Sequence, residues 1–210
     1  MEWIKQIEKY NPVDEQEKKD KEIILDFINK NDNVLFRDNE IAHITSSGFI
    51  VNKLRTKVLM IHHNIYNSWG WTGGHADGDS DLIKVSIKEA KEETGIKEAR
   101  PITNDICSID ILPVNAHIKR GKYVASHLHL SVAYILEADE NEELVVKEDE
   151  NSGVKWVDID KVLDLTNEEY MKNVYKKFAS LERRVGETLH VANDISLLPL
   201  RIHPLLKKLF

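Results

Sequence analysis

The chain has 210 residues, of which 41% are hydrophobic and 31% charged, a balance expected of a soluble globule with one ordinary domain plus extensions. A formal net charge of −7 argues against binding to long nucleic acid, but not against a phosphate-bearing small molecule, since a bound metal supplies positive charge locally. One cysteine, Cys107, excludes an internal disulfide and fits a reducing cytoplasm, and the charged N-terminus carries no apolar run suited to a signal peptide or membrane span.

Trp3, Ile4, Ile7 and Tyr10 recur at helical spacing and predict a short helix over 2–9, broken by Asn11-Pro12. Asp14 with Glu17 resembles a capping box that opens a second helix, striped by Ile23, Ile24, Phe27 and Ile28 and ended near Lys30–Asn33. The two form a helical extension over residues 1–40. It is expected to pack on the domain or on a second subunit, so a homodimer stays open. Ala42–Val51 is β-rich, Lys53–Thr56 is a turn, and Lys57–His62 is a compact apolar strand, which together read as a hairpin. Asn67–Trp71 then delivers the chain to Gly73-Gly74, where the backbone can pass close to a ligand and the Gly74 carbonyl can reach a metal. Trp69 and Trp71 could stack on a base or ring, or simply cover the core.

The stretch Gly73–Ile96 organises the chain. Asp79, Ser80 and Asp81 supply N-cap chemistry for a helix of about four turns that Gly95 stops. Residues on a helix turn by about 100° each, which sorts the side chains into faces. Lys84, Lys88 and Lys91 make a solvated stripe, Ile83, Ile87, Ala90 and Thr94 an inner one, and Glu89, Glu92 and Glu93 share a third arc with Leu82 and Val85. Three carboxylates on one arc repel each other, which a fully solvated face tolerates. The apolar residues on that arc make it half-buried, and half-buried carboxylates call for a cation. Oxygen-only ligands favour Mg²⁺ first, then Mn²⁺ or Ca²⁺.

Beyond the helix, Pro101–Val114 predicts a strand with Ile106, Ser108, Asp110 and Leu112 on one face. Lys119–Lys122 is a basic turn, either a solvated hairpin tip or a contact for substrate phosphates. Val124–Leu136 predicts the longest strand, with His127 and His129 on one side of the sheet. A histidine pair at that spacing is structural, binds a transition metal or grips a phosphate; with carboxylates already supplied by the helix, substrate contact is the preferred role. Leu144–Val146 reads as a short strand and Val154–Val157 as another. Thr166–Glu169 is a capping box for a helix to about Arg184, with Tyr170, Val174, Phe178 and Leu181 inward, followed by an apolar tail.

The Gly74–Ile96 spacing resembles the signature of the Nudix family, G-x5-E-x7-R-E-U-x-E-E-x-G-U with U aliphatic. Gly74, Glu89, Glu92, Glu93 and Gly95-Ile96 take their places, while Ser80 stands where the signature has its first Glu, Lys88 where it has Arg, and Ala90 at the first aliphatic position. Asp77 and Asp79 lie close enough to stand in for the missing Glu if the loop shifts. The W-x-x-x-G-G-H run from Trp69 to His75 and the later H-L-H-L look like a subgroup with histidine after the double glycine. The resemblance spans roughly Thr45 to Leu165. It implies an α/β/α sandwich with a mixed sheet over residues 41–165, flanked by helical extensions at 1–40 and 166–210. It implies hydrolysis of a phosphoanhydride bond in a nucleoside diphosphate linked to another moiety. Glu89, Glu92 and Glu93 with Gly74 would hold Mg²⁺. Glu150, ahead of the late strand bearing Trp156, would be a further metal ligand or, like Glu89, take a proton from water; Glu148 and Asp149 are its neighbouring rivals, and a solvated loop carboxylate is the plain alternative. His75 would line the site. The departures at Ser80 and Lys88 leave a second reading, a Nudix-fold binding or regulatory domain. A third, an isomerase of the isopentenyl diphosphate type, would need Cys107 to face a glutamate.

Overall fold

A computed structural model describes residues 1–119 and 121–178. The fold is built on a mixed sheet. Strand β1 (Ala42–Asn52) and β2 (Lys57–His63) form the expected antiparallel hairpin, and the Asn52 side chain closes its turn by accepting from the Thr56 and Lys57 amides. Two short strands that periodicity did not reveal follow, β3 (Ser68–Gly70) on β2 and β4 (Thr72–His75) on β1. Helix α3 spans Leu82–Thr94. The single strand expected over Pro101–Val114 is two, β5 (Arg100–Pro101) and β6 (Ser108–Val114), both antiparallel to β9 (His127–Ala138). Between β6 and β9, β7 (His117–Lys119) and β8 (Lys122–Val124) make a separate hairpin around the basic turn; Arg120 lies outside the described residues. β9 runs parallel to β1, which makes the sheet mixed, and β10 (Asn151–Asp158) closes it beside β2. The spine of the sheet thus runs β10-β2-β1-β9-β5.

Every residue of β1 is buried, as expected of a strand covered on both faces. On one face Ile44 and Ile50 share the apolar core with Leu82 and Ala90, and the Ser46 hydroxyl donates to the Leu82 carbonyl at 2.6 Å. On the other, Phe49 meets Tyr175 of the helix at 169–178, ring centroids 6.4 Å apart. Helices therefore lie on both faces, the α/β/α arrangement.

Helices α1 (Glu2–Lys9) and α2 (Glu15–Lys30) of the N-terminal extension bury Trp3, Ile7, Ile24 and Ile28 in that same core. Asp14 caps α2 by accepting from the Glu17 amide at 2.8 Å. Glu17 does more than close a capping box. It is fully buried, accepts from the Val13 amide and the Tyr10 and Ser108 hydroxyls, and lies 3.3 Å from Lys177 Nζ. Lys177 also pairs with buried Asp110 of β6, so one buried cation ties α2, β6 and the helix at 169–178 together. Residues 1–177 form one compact unit.

Leu144–Val146 is not a strand: the Val145 amide donates to the Thr94 carbonyl at 2.8 Å, and its side chain covers Gly95, so the segment closes the C-terminus of α3. The helix expected from Thr166 begins at 169 and is described to 178; the expected continuation to Arg184 and the apolar tail lie outside the described residues. Among the described residues no helix is long and apolar enough to cross a membrane.

Candidate active site

Asp81 caps α3 by accepting from the Lys84 amide, and Gly95, at φ 78°, ends it in the left-handed conformation. This helix lays the three glutamates at graded depths beside strand β4, Glu93 and Glu89 directly against Gly73 and Gly74. Glu93 is deepest, 2% exposed, and accepts from the Gly73 amide at 2.9 Å. The Glu89 side chain is 12% exposed and lies against Gly74 so closely that a Cβ there would overlap its carboxylate. Glu92 is outermost, its side chain 44% exposed. Burial pushes the Glu93 pKa up to about 8, against the pull of the Gly73 amide, and burial likewise raises Glu89, against the pull of Lys88.

Glu150 joins the cluster from the turn before β10. The Asn151 side chain donates to the Glu93 carbonyl at 2.9 Å and anchors that turn to α3. Lys147 then stands between the two elements, 3.0 Å from Glu150 and 3.8 Å from Glu92. Lys88 lies 3.5 Å from Glu89 and 3.7 Å from Glu92, and Lys119 of the β7–β8 hairpin 3.9 Å from Glu150. Glu93 has no ion-pair partner among the described residues, and Glu89 is met only by the exposed Lys88 at 3.5 Å. An all-oxygen donor set, short of positive charge and set in a cradle that only glycine leaves open, fits a hard divalent cation.

Asp77 and Asp79 do not replace the missing first glutamate. Asp77 takes a two-pronged pair from Arg37, and Asp79 pairs with Lys84 and accepts from the Asp81 amide. Ser80 is exposed. Trp71 is 6% exposed and stands edge-on to Tyr175, whose hydroxyl accepts from its amide, so it packs under the site rather than opening onto it.

His75, His127 and His129 come together, joined by His43, which the sequence reading did not single out. The parallel register pairs His43 with His129, and β4 sets His75 opposite Thr45, so the alternation along β1 turns all of them to one face. The donor nitrogens of the four rings lie within 4.8 Å of one another. Burial drives the His75 and His129 pKa values down to about 2, with neighbouring positive groups adding to it, and burial lowers His43. Arg37, His43 and Lys147 are the site residues the sequence reading missed. His43 would have needed the β1–β9 register to be known.

The NUDIX domain family matches residues 42–178, and the chain belongs to that family. An RNA pyrophosphohydrolase of Pelagibacter ubique (strain HTCC1062) is 28% identical over 149 residues, which cover 68% of this chain and 91% of the relative. Among solved structures, E. coli dihydroneopterin triphosphate pyrophosphohydrolase superposes with a TM-score of 0.49 at 15% identity, over 64% of this chain and 93% of the other. C. elegans Ap4A hydrolase does so with a TM-score of 0.46 at 18% identity, over 66% and 96%.

Proposed function

We propose that the protein hydrolyses a phosphoanhydride bond in a nucleoside diphosphate linked to another moiety, with Mg²⁺, or Mn²⁺ in its place. The observation that carries this reading is the pair of half-buried Glu89 and buried Glu93 against Gly73 and Gly74 of β4, met only by the long contact of exposed Lys88 with Glu89. Glu89, Glu92, Glu93 and Glu150, with the Gly74 carbonyl, are the groups that would hold the ion. Bound there, a divalent cation supplies neutralisation of phosphate oxygens and a bound water of lowered pKa.

The remaining work falls to the chain. Glu89 or Glu150, both carboxylates of this cluster, takes the proton of the attacking water. Lys119 and Lys147, both beside Glu150, meet the outer phosphates and orient them. The Gly73 amide holds Glu93 in place, so the site is organised before substrate arrives. No covalent route competes. Cys107 is buried and desolvation raises its thiol far from the thiolate range, which also counts against the isomerase reading.

The test is release of phosphate or nucleotide from nucleoside triphosphates, sugar nucleotides, dinucleoside polyphosphates, ADP-ribose and NADH, with Mg²⁺, Mn²⁺ or EDTA. The 28% identical RNA pyrophosphohydrolase adds RNA to that panel. Metal-dependent turnover of one substrate, lost in both Glu92→Gln and Glu93→Gln, is the expected result. The exposed Ser80, with no carboxylate in its place, keeps a second reading, a Nudix-fold binding domain. Tight metal-dependent binding without turnover across the panel would favour it.

A further inference from the structure

The carboxylate site leaves four imidazoles unexplained. His43 is 4% exposed, and its Nε2 has no hydrogen-bond partner among the described residues. Its other nitrogen, Nδ1, lies 2.9 Å from the Asn39 carbonyl. A carbonyl only accepts, so Nδ1 carries the proton, and the buried Nε2 lone pair points at nothing. His127 repeats the arrangement: its Nδ1 lies 2.8 Å from the Ala125 carbonyl, which makes that nitrogen the donor and leaves Nε2 a lone pair. That Nε2 faces the Nε2 of His129 at 3.3 Å. His75 completes the group, its ring 4.8 Å from His129 and 4.9 Å from His43.

We propose that His43, His75, His127 and His129 form a binding site for a divalent transition-metal ion of the zinc class, separate from the carboxylate site. Three features carry the assignment. First, carbonyl acceptors fix the tautomers of His43 and His127 so that their free nitrogens converge, the way outer contacts orient metal-bound imidazoles. Second, a tetrahedral ion with metal–nitrogen bonds of about 2.0–2.1 Å needs nitrogen–nitrogen separations of roughly 3.3–3.4 Å. The His127–His129 edge already has that length, and side-chain rotation brings in the other donors, all within 4.8 Å. Third, four neutral nitrogen donors suit zinc, copper, nickel or cobalt, whereas Mg²⁺ takes oxygen. The rings of His75, His127 and His129 are only half-buried, so an ion has a way in. Arg37 stands nearby, but its charge is held by Asp77.

In this assignment the imidazoles hold an ion rather than touch the substrate. The ion would tie together β1, β4 and β9, the three strands that carry the four histidines. The inference does not rest on hydrolysis. Without an ion, the direct bond between His127 and His129 would be the one nitrogen–nitrogen contact among the four rings at hydrogen-bond distance among the described residues.

The test strips the purified full chain with EDTA and titrates it with Co²⁺ and then Zn²⁺ alone. The expected result is a visible Co²⁺ band of tetrahedral intensity that saturates at one equivalent and is displaced by Zn²⁺, and a Zn²⁺-dependent rise in melting temperature. His129→Gln and His127→Gln should each weaken binding at least about tenfold, as loss of a ligand must exceed loss of an outer contact. His43→Gln should do the same. If its burial prevents folding by circular dichroism, the two half-buried positions decide. The combined Glu92→Gln and Glu93→Gln variant should bind Co²⁺ as the parent does. Absence of the tetrahedral band, binding indifferent to the histidine variants, or binding lost in the glutamate variant would each overturn the proposal.

Discussion

Glu93→Gln separates what the buried carboxylate costs the fold from what it contributes to the site. In the folded chain its pKa stands at about 8, from an ordinary 4.5, because burial disfavours the charge more than the Gly73 amide restores it. Between those values the unfolded chain has released a proton that the folded chain still holds. Stability contributed by the protonated form is therefore complete below pH 4.5 and is lost as pH rises towards 8. Each pH step in that window costs about 1.4 kcal/mol, giving a ceiling of roughly 5 kcal/mol above pH 8 and about 3 kcal/mol at neutrality. In a chain of this size a kcal/mol moves the melting temperature by about 2–4 °C, so the parent should fall on the order of 10 °C against the variant between pH 5 and 9. The substituted glutamine does not titrate and can still accept from Gly73. The assay is thermal unfolding of parent and variant at half-unit pH intervals in EDTA. The variant should be the more stable protein at pH 8 and above, yet inactive. Mg²⁺ should restore the parent and leave the variant unmoved. Parallel curves from pH 5 to 9 would refute the argument, since Glu93 would then titrate alike in both states.

Gly74→Ala should leave the fold intact by circular dichroism and lower turnover about 100-fold, because the new Cβ displaces the Glu89 carboxylate. Unchanged turnover would remove Glu89 from the site. Lys177→Met should destabilise the protein by about 3–5 kcal/mol in urea unfolding, since Glu17 and Asp110 would keep buried charge without the cation. Adding Asp110→Asn to that variant should recover part of the loss. Burial lowers the Lys177 pKa, but Asp110 and Glu17 together outweigh it and the net shift is upward. The network's contribution therefore holds below the ordinary lysine range and is lost as pH climbs through the raised value. Ser80→Glu with Lys88→Arg should preserve or raise turnover. Ser80 is exposed, so a glutamate fits, and arginine can grip Glu89 and Glu92 with two parallel bonds where Lys88 makes single long ones.

Local pattern was enough for whatever depends on neighbours along the chain. The 3.6-residue period placed α3 and sorted Glu89, Glu92 and Glu93 onto one arc, and Asp81 and Gly95 closed it because caps act within one turn. The two-residue period put His127 and His129 on one side of β9, and an apolar run marked β2. Local pattern failed where a partner is distant. Glu17 read as a capping residue, since nothing near it announced Ser108 and Lys177, 91 and 160 positions away. Trp71 read equally as a stacking surface or as cover over the core, and only its contact with Tyr175 decides for the second; Leu144–Val146 read as a strand until it closed the end of α3. His43 is the sharpest case. The core chooses a register by burying Ile44 and Ile50 against α3, and that choice carries His43 to a position beside His129, on a strand far along the chain. Alternation along β1 determines which way His43 points; only the packing of the whole sheet decides what it meets there.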